Sequence, residues 1–159
     1  MPRIAEIADK AGVSLRTVFR HIEDVETLNR EMAEQVEAEI TPVVSAPLKA
    51  TSWRGRLEEM LQRRAQIYEH VMPVKMAAGL RRFRSEFLMA DYQRFLDEER
   101  TRLVAILPDV IVQNKPQLAA LQMATSFQMW RRLRQDQRLS PEDALETLAF
   151  TVERLIQDV

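Results

Sequence analysis

Apolar positions recur with the period of an α-helix along almost the whole chain. The first such stripe is formed by Ile4, Ile7, Ala8 and Ala11, which are spaced three and four residues apart. Gly12 follows the stripe, and glycine is the residue type that most readily ends a helix, because it adopts a positive φ without strain. The pattern therefore predicts a short helix that ends at Gly12.

A second helix is predicted to begin directly after this turn. Ser14 can cap it by accepting a hydrogen bond from a free backbone N–H group. Val18 and Ile22 then recur on the inward side, while the outward side carries Leu15, Arg16, Thr17 and Arg20. Two helices joined by a short glycine-containing turn form a helix-turn-helix, whose second helix enters the major groove of DNA.

A third helix is predicted after the second, which is expected to end near Ile22. Asp24 can cap this third helix, and its apolar face is formed by Leu28, Met32, Val36 and Ile40. Pro42 and Pro47 are predicted to stop it, because proline lacks a backbone N–H group. Residues 41–51 are accordingly interpreted as a linker.

The pattern divides the chain into a DNA-binding domain over 1–45 and a helical domain over 46–159. Ser140, Pro141 and Asp143 mark a strong helix start, with a capping serine, a first-turn proline and an acidic residue three positions later. The predicted segments of the second domain are a helix from Ser52 broken at Pro73, a short helix over about 74–83, a long helix from Ser85 to Pro108, a helix from about Pro116 to Arg138, and a last helix from Ser140.

Composition agrees with an all-α chain and narrows the chemistry. Glycine occurs only three times among 159 residues, and 46% of the residues are hydrophobic. Cysteine is absent, which excludes disulfides and thiolate chemistry. His21 and His70 are far apart and share no carboxylate cluster at ligand spacing, so neither a metal site, a cofactor nor an enzyme is expected. We expect a cytoplasmic protein with no membrane partner, because no apolar run or secretory signal is present.

Charge gives little support to nucleic-acid binding. The formal net charge is −1 and the pI is about 6.2. In the helix-turn-helix region, basic residues are balanced by acidic ones. Since phosphate contacts supply most non-specific affinity, we expect modest affinity for DNA from each subunit and reliance on a dimer.

One string is more specific than a bare helix-turn-helix pattern. Residues 7–22 read Ile-Ala-x-x-Ala-Gly-Val-Ser-x-x-Thr-x-Phe-Arg-His-Ile, and Glu26 and Leu28 open the next helix. At these residues the chain resembles the TetR family of transcriptional repressors. The resemblance implies a dimer that binds a palindromic operator in double-stranded DNA through Ser14, Leu15, Arg16, Thr17, Phe19, Arg20 and His21. Arg16 suits a forked contact to guanine and Leu15 a thymine methyl group, while Thr17, Arg20 and His21 suit the backbone.

The resemblance also assigns two functions to the second domain. It implies an effector pocket for a small, mainly apolar molecule, and the candidates to line it are Met60, Tyr68, Phe87, Tyr92, Gln122 and Met123. It further implies a homodimer in which the last two helices of each chain complete a four-helix bundle. The predicted seam is formed by Leu145, Leu148, Val152, Leu155 and Ile156.

Three departures from the family pattern favour an alternative function. The family has a full helix before the position of Ile4, where this sequence has three residues, so the DNA-binding domain is predicted to be incomplete. The family usually has tyrosine where Phe19 stands and lysine where Val25 stands, and both contact phosphate. The alternative is a dimeric helical ligand-binding or interaction module that has lost DNA binding.

Overall fold

The computed structural model describes the backbone of residues 4–159 and, within that range, all side chains except those of residues 4–7, 22 and 24. The described chain is helical and contains no strand, which confirms the predicted all-α class. Its helices are α1 (Ile4–Ala11), α2 (Leu15–Ser45), α3 (Trp53–Arg81), α4 (Glu86–Val104), α5 (Asp109–Gln113), α6 (Lys115–Ala124), α7 (Phe127–Arg131) and α8 (Pro141–Ile156). A 3₁₀ turn (Arg82–Arg84) precedes α4, and a π-helical segment (Arg132–Asp136) extends α7.

Serine side chains begin most of the helices. In each case the hydroxyl accepts a hydrogen bond from the backbone N–H group three residues later, which satisfies one of the free donors of the first turn. The capping residues are Ser14, Ser52, Ser85, Ser126 and Ser140. The predicted starts after residues 14, 52, 85 and 140 are therefore confirmed.

The predicted break between the second and third helices is wrong. One uninterrupted helix, α2, runs from Leu15 to Ser45. No glycine or proline occurs between Leu15 and Thr41, so the backbone has no reason to stop near Ile22. Because α2 continues through residue 24, Asp24 does not begin a helix as predicted. The side chains of Ile4, Ile7 and Ile22, and residues 1–3, lie outside what the structure describes.

Two prolines that were predicted to stop helices lie inside them. Pro42 is part of α2 and Pro73 is part of α3, so α2 ends at Ser45 and the linker is shorter than predicted. Both prolines are exposed, on the side of the helix where water can satisfy the carbonyl group that loses its donor. Helix α3 therefore runs to Arg81 and absorbs most of the short helix predicted for residues 74–83.

The helix predicted from Pro116 to Arg138 is in fact divided. Helix α6 ends at Ala124, Thr125 and Ser126 form a turn, and α7 begins at Phe127. The Thr125 hydroxyl bonds to the Leu121 carbonyl at 2.9 Å, and the Ser126 hydroxyl caps α7. The apolar pattern continues across this turn, which is why periodicity alone missed it.

The core of the described chain is built around α3, which contacts α2, α4, α7 and α8. Trp130 and Tyr68 are its largest fully buried side chains, with 1% and 2% of their surface exposed. The segment between α2 and α3 is held against α3, because the Glu59 carboxylate accepts hydrogen bonds from the backbone N–H groups of Lys49 and Ala50 at 2.8 and 2.7 Å. This segment fixes the position of α2 over α3 and α4.

Candidate nucleic-acid interface and ligand cavity

The turn between α1 and α2 has the geometry that the sequence predicts. Gly12 has a φ of +64°, and its N–H group bonds to the Asp9 carbonyl at 3.3 Å. The N–H group of Val13 bonds to the Ala8 carbonyl at 3.1 Å, which completes a Schellman ending. Ser14 then starts α2, accepting a hydrogen bond from the Thr17 N–H group at 3.1 Å. These bonds fix the direction in which α2 leaves α1.

The first two turns of α2 present their predicted DNA-contacting side chains to solvent. Leu15 and Phe19 are 48% and 50% exposed, although both are apolar. Arg16, Arg20 and His21 are also exposed. Thr17 is half-buried, and its hydroxyl lies 2.9 Å from that of Ser14, so these two residues shape the helix start. The arrangement allows Leu15, Arg16, Phe19 and Arg20 to approach a groove together.

Charge changes sign along the exposed surface of α2. The two exposed arginines in its first two turns, Arg16 and Arg20, are followed by the exposed carboxylates of Glu23, Glu31 and Glu34. Exposed Arg30 lies among these carboxylates and is outnumbered by them, so a polyanion is attracted more strongly to the N-terminal end of the helix than to the following turns. This favours DNA contact at a short section of α2.

A cavity of about 400 Å³ lies between the C-terminal end of α2, the following linker, α3 and α4. Its apolar walls include Ile40, Leu48, Met60, Ile67 and Ile106. A second cavity of about 360 Å³ adjoins it between α2, the C-terminal part of α3 and α4, and residues of α2 (Ile40 and Val44) and α4 (Phe95, Glu98 and Arg102) line both. Both volumes fall in the range of small-molecule sites.

The six predicted pocket residues are not brought together. Met60 and Tyr68 line the cavity of about 400 Å³. Tyr92 lies elsewhere, with the Arg82 guanidinium 4.1 Å above its ring, and Phe87 is covered in the same way by Arg30 at 4.4 Å. Gln122 borders a different cleft between α4 and α6, and Met123 is 61% exposed. Helical period does not show which helices a residue meets, and Met123, which was predicted to line a pocket, faces solvent.

A buried polar cluster that was not predicted from the sequence lies beside the cavity of about 400 Å³. Arg64 is only 7% exposed, and it donates to the Thr125 carbonyl at 2.8 Å, to the Thr125 hydroxyl at 2.7 Å and to the Glu99 carbonyl. The Glu99 carboxylate accepts hydrogen bonds from the Tyr68 hydroxyl and from the Phe127 N–H group. Burial raises the pKa of Glu99, and it raises the pKa of Tyr68 well above its ordinary value. The feature of the sequence that pointed to this cluster was Arg64, which lies among the apolar positions of α3.

The predicted dimer seam lies against the chain's own core. Leu148, Val152 and Ile156 are each 3% exposed and belong to the main hydrophobic cluster. Leu145 and Leu155 are partly buried against the same cluster. This side of α8 packs on α3 and α6 of the same chain, so it is not free to meet a second one. The apolar spacing along α8 is therefore explained by packing within the chain.

Among the described residues, no helix combines the length and apolar character that crossing a bilayer requires. Within the same range, no three histidine or acidic side chains come close enough together to hold a metal ion.

Comparison with known proteins identified no match to any family model, any curated protein or any solved structure. The resemblance to the TetR family therefore rests on the residues quoted from the sequence.

Proposed function

We propose that this chain is a DNA-binding regulator of transcription whose affinity for its operator is controlled by a small molecule bound under α2. The observation that carries the proposal is the turn at Gly12 and Ser14, which starts a helix with Leu15, Arg16, Phe19 and Arg20 exposed. Two apolar and two cationic side chains at an exposed helix start suit the mixture of methyl groups, base edges and phosphates in a major groove.

The continuity of α2 supplies a route for control by a ligand. A helix of 31 residues is about 45 Å long at 1.5 Å per residue. Its first turns carry the proposed DNA contacts, and Ile40 and Val44 near its other end line both cavities. A ligand that binds better to one packing of this end than to another shifts the orientation of the whole helix. In the proposed mechanism the favoured orientation does not fit the operator, so DNA affinity falls by linkage.

Two copies on a palindromic operator remain part of the proposal, because one short recognition surface gives modest affinity. Since Leu148 and its neighbours pack within the chain, the contact between copies has to use another surface. Sedimentation with and without operator DNA tests this part separately. A single copy on the selected DNA at saturation would contradict it.

The DNA-binding proposal is tested by selecting duplexes from a random library with the full chain, followed by fluorescence anisotropy on the selected sequence. Arg16→Ala is expected to weaken binding by about 1–3 kcal/mol per half-site and to relax preference at one base position, as for a forked base contact. Arg20→Ala is expected to weaken all sequences alike and to reduce the salt dependence by about one phosphate contact. Arg100→Ala, an exposed arginine of α4, is the matched control and should bind like the unaltered chain.

The alternative function, a helical ligand-binding module without DNA binding, is favoured by one observation. Exposed Glu23 lies one turn beyond Arg20, at the edge of the proposed contact surface. If the selection enriches no sequence, or if both arginine variants bind like the control, the alternative replaces the regulator. Glu23→Gln is expected to strengthen DNA binding only if the first turns of α2 approach phosphates.

A further inference from the structure

We propose that the cavity of about 400 Å³ binds an amphipathic organic anion, with an apolar tail among its walls and a carboxylate paired with Arg56. The proposal gives the chemical class of the regulatory ligand, and it rests on the proposed function only for the biological role of that ligand. The residues that line the cavity support it independently.

The cavity combines an apolar interior with an excess of cations. Leu48, Met60, Ile67 and Ile106 provide hydrocarbon walls from the linker, from α3 and from the turn that follows α4. The charged residues that line it are four arginines against two glutamates, namely Arg56, Arg63, Arg64, Arg102, Glu98 and Glu99. A mixed lining of this kind favours a ligand that has both an apolar part and a negative charge.

Three of the four arginines already have acceptors in the protein. Arg63 donates to the Ala46 and Pro47 carbonyls of the linker, which holds this segment on α3. Arg64 is fully engaged in the buried cluster described above. Arg102 pairs with Glu98, and the two side-chain atoms are 3.1 Å apart. Each of these cations therefore has a structural role, and none of them needs a ligand.

Arg56 differs from the other three. Its Nε atom is shielded from solvent and has no hydrogen-bond acceptor among the described residues. A buried donor without an acceptor costs free energy, and a rotation of the Arg56 side chain toward the cavity that it lines would let an incoming carboxylate recover this cost. Guanidinium and carboxylate groups also form the paired hydrogen bonds that give the strongest contacts of this type. A neutral oxygen could accept a hydrogen bond from Arg56 but would not offset the guanidinium charge, and a cationic ligand is repelled by the arginines.

The acidic residues of the lining do not compete for this role. Glu98 is paired with Arg102, and the Glu99 carboxylate is held by the Tyr68 hydroxyl and the Phe127 N–H group. Neither carboxylate accepts a hydrogen bond from the Arg56 Nε atom. The unsatisfied group of the cavity is therefore a cation, which points to an anion as its ligand.

The test is calorimetric titration of the full chain, without DNA, with three ten-carbon probes that differ only in head group. Decanoate is expected to bind at least tenfold more tightly than decan-1-ol, and decyltrimethylammonium is expected to bind most weakly. Equal affinity for decanoate and decan-1-ol, a preference for the cation, or no binding of decanoate would each overturn the proposal. This ranking uses the unaltered chain and so decides the question even if a variant fails to fold.

Substitutions then locate the head group. Arg56→Gln is expected to weaken decanoate binding at least tenfold and to leave decan-1-ol binding unchanged, while Arg56→Lys restores part of the loss by restoring the charge. Arg100→Gln removes an exposed arginine that borders a different cleft, and it should bind decanoate normally. Unchanged decanoate binding in a folded Arg56→Gln chain would reject the assignment of the head group.

Addition of decanoate to the DNA complex separates this inference from the proposed function. Release of DNA supports both. If decanoate binds tightly but leaves the DNA complex intact, the cavity does not control DNA binding, and the proposed ligand class stands. Failure of the chain to bind any DNA rejects the regulator and has no influence on the calorimetric ranking.

Discussion

The two ends of α2 have different surroundings. Near its start, α2 contacts the short helix α1, and Leu15 and Phe19 are about half exposed. Toward its end, Val36 and Ile40 pack against the core, and the helix contacts α3 and α4. Burial of apolar surface is the main source of stability. One end of α2 therefore belongs to the folded core, whereas the exposed side chains at the other end leave it accessible to a partner.

The largest effect is expected from a charge placed in the core cluster against which the end of α2 packs, at Leu148 of α8. Leu148→Glu is expected to lower the free energy of unfolding by more than about 4 kcal/mol, because a carboxylate would be buried without a partner. Ala149→Glu is the matched control, since Ala149 is exposed, and it should change stability by less than about 0.5 kcal/mol. Urea denaturation followed by circular dichroism measures both.

The outcome also decides what α8 does. If Leu148 packed against a second chain rather than its own core, Leu148→Glu would yield a folded monomer with normal helicity. A variant of that kind would contradict the packing described here.

An intermediate effect is expected from two equivalent helix caps. Ser14 and Ser140 accept hydrogen bonds from backbone N–H groups at 3.1 and 3.0 Å, at the starts of α2 and α8. Ser140→Ala should lower global stability by about 1 kcal/mol, the usual value for losing such a cap. Ser14→Ala should instead speed amide exchange locally over 15–18 and leave global unfolding almost unchanged, because local opening does not require the core to open.

Hydrogen exchange and urea denaturation on both variants check this contrast. Equal loss of global stability in the two variants would show that the start of α2 is as strongly coupled to the core as α8 is.

The smallest effect concerns pH and the buried carboxyl of Glu99. Burial raises the pKa of Glu99 in the folded chain, so the folded state holds this proton to higher pH than the unfolded state does. Its contribution to stability is therefore greatest below the unfolded pKa and is lost as pH rises through the folded value. Glu99→Gln keeps the Oε1 atom that accepts both hydrogen bonds but cannot ionise. Stability of the variant relative to the unaltered chain should rise with pH across this window, as measured by thermal melting at several pH values.

The features that could be predicted from the sequence are local ones. Ser14, Ser140 and Gly12 act through hydrogen bonds within four or five residues, so their roles follow from residue type and spacing. Pro42 was misread, because whether proline ends a helix depends on which side of the helix faces water. The break at Thr125 was missed for a similar reason, since its hydroxyl is also bound by Arg64, 61 residues earlier in the chain.

A candidate site could be predicted better when its residues lie close together in the sequence. The proposed DNA contacts lie on two consecutive turns of one helix, and the structure places them together on an exposed surface. The cavity draws on α2, α3, α4 and a linker, and of the six residues predicted to share a pocket only Met60 and Tyr68 line it. Which side of α8 is covered depends on the packing of α3 and α6, and this information is not present in the period of α8 itself.

The hydrogen bonds around the linker have a consequence for proteolysis. Residues 46–52 contain no regular secondary structure, and exposed segments of this kind are usually where proteases cut. Here Glu59 holds the backbone N–H groups of Lys49 and Ala50, while Arg63 holds the carbonyl groups of Ala46 and Pro47. A protease has to pull the segment into an extended conformation before cleavage, which breaks these bonds first. Lys49 should therefore be a poor site for trypsin, and Glu59→Ala should turn it into a good one.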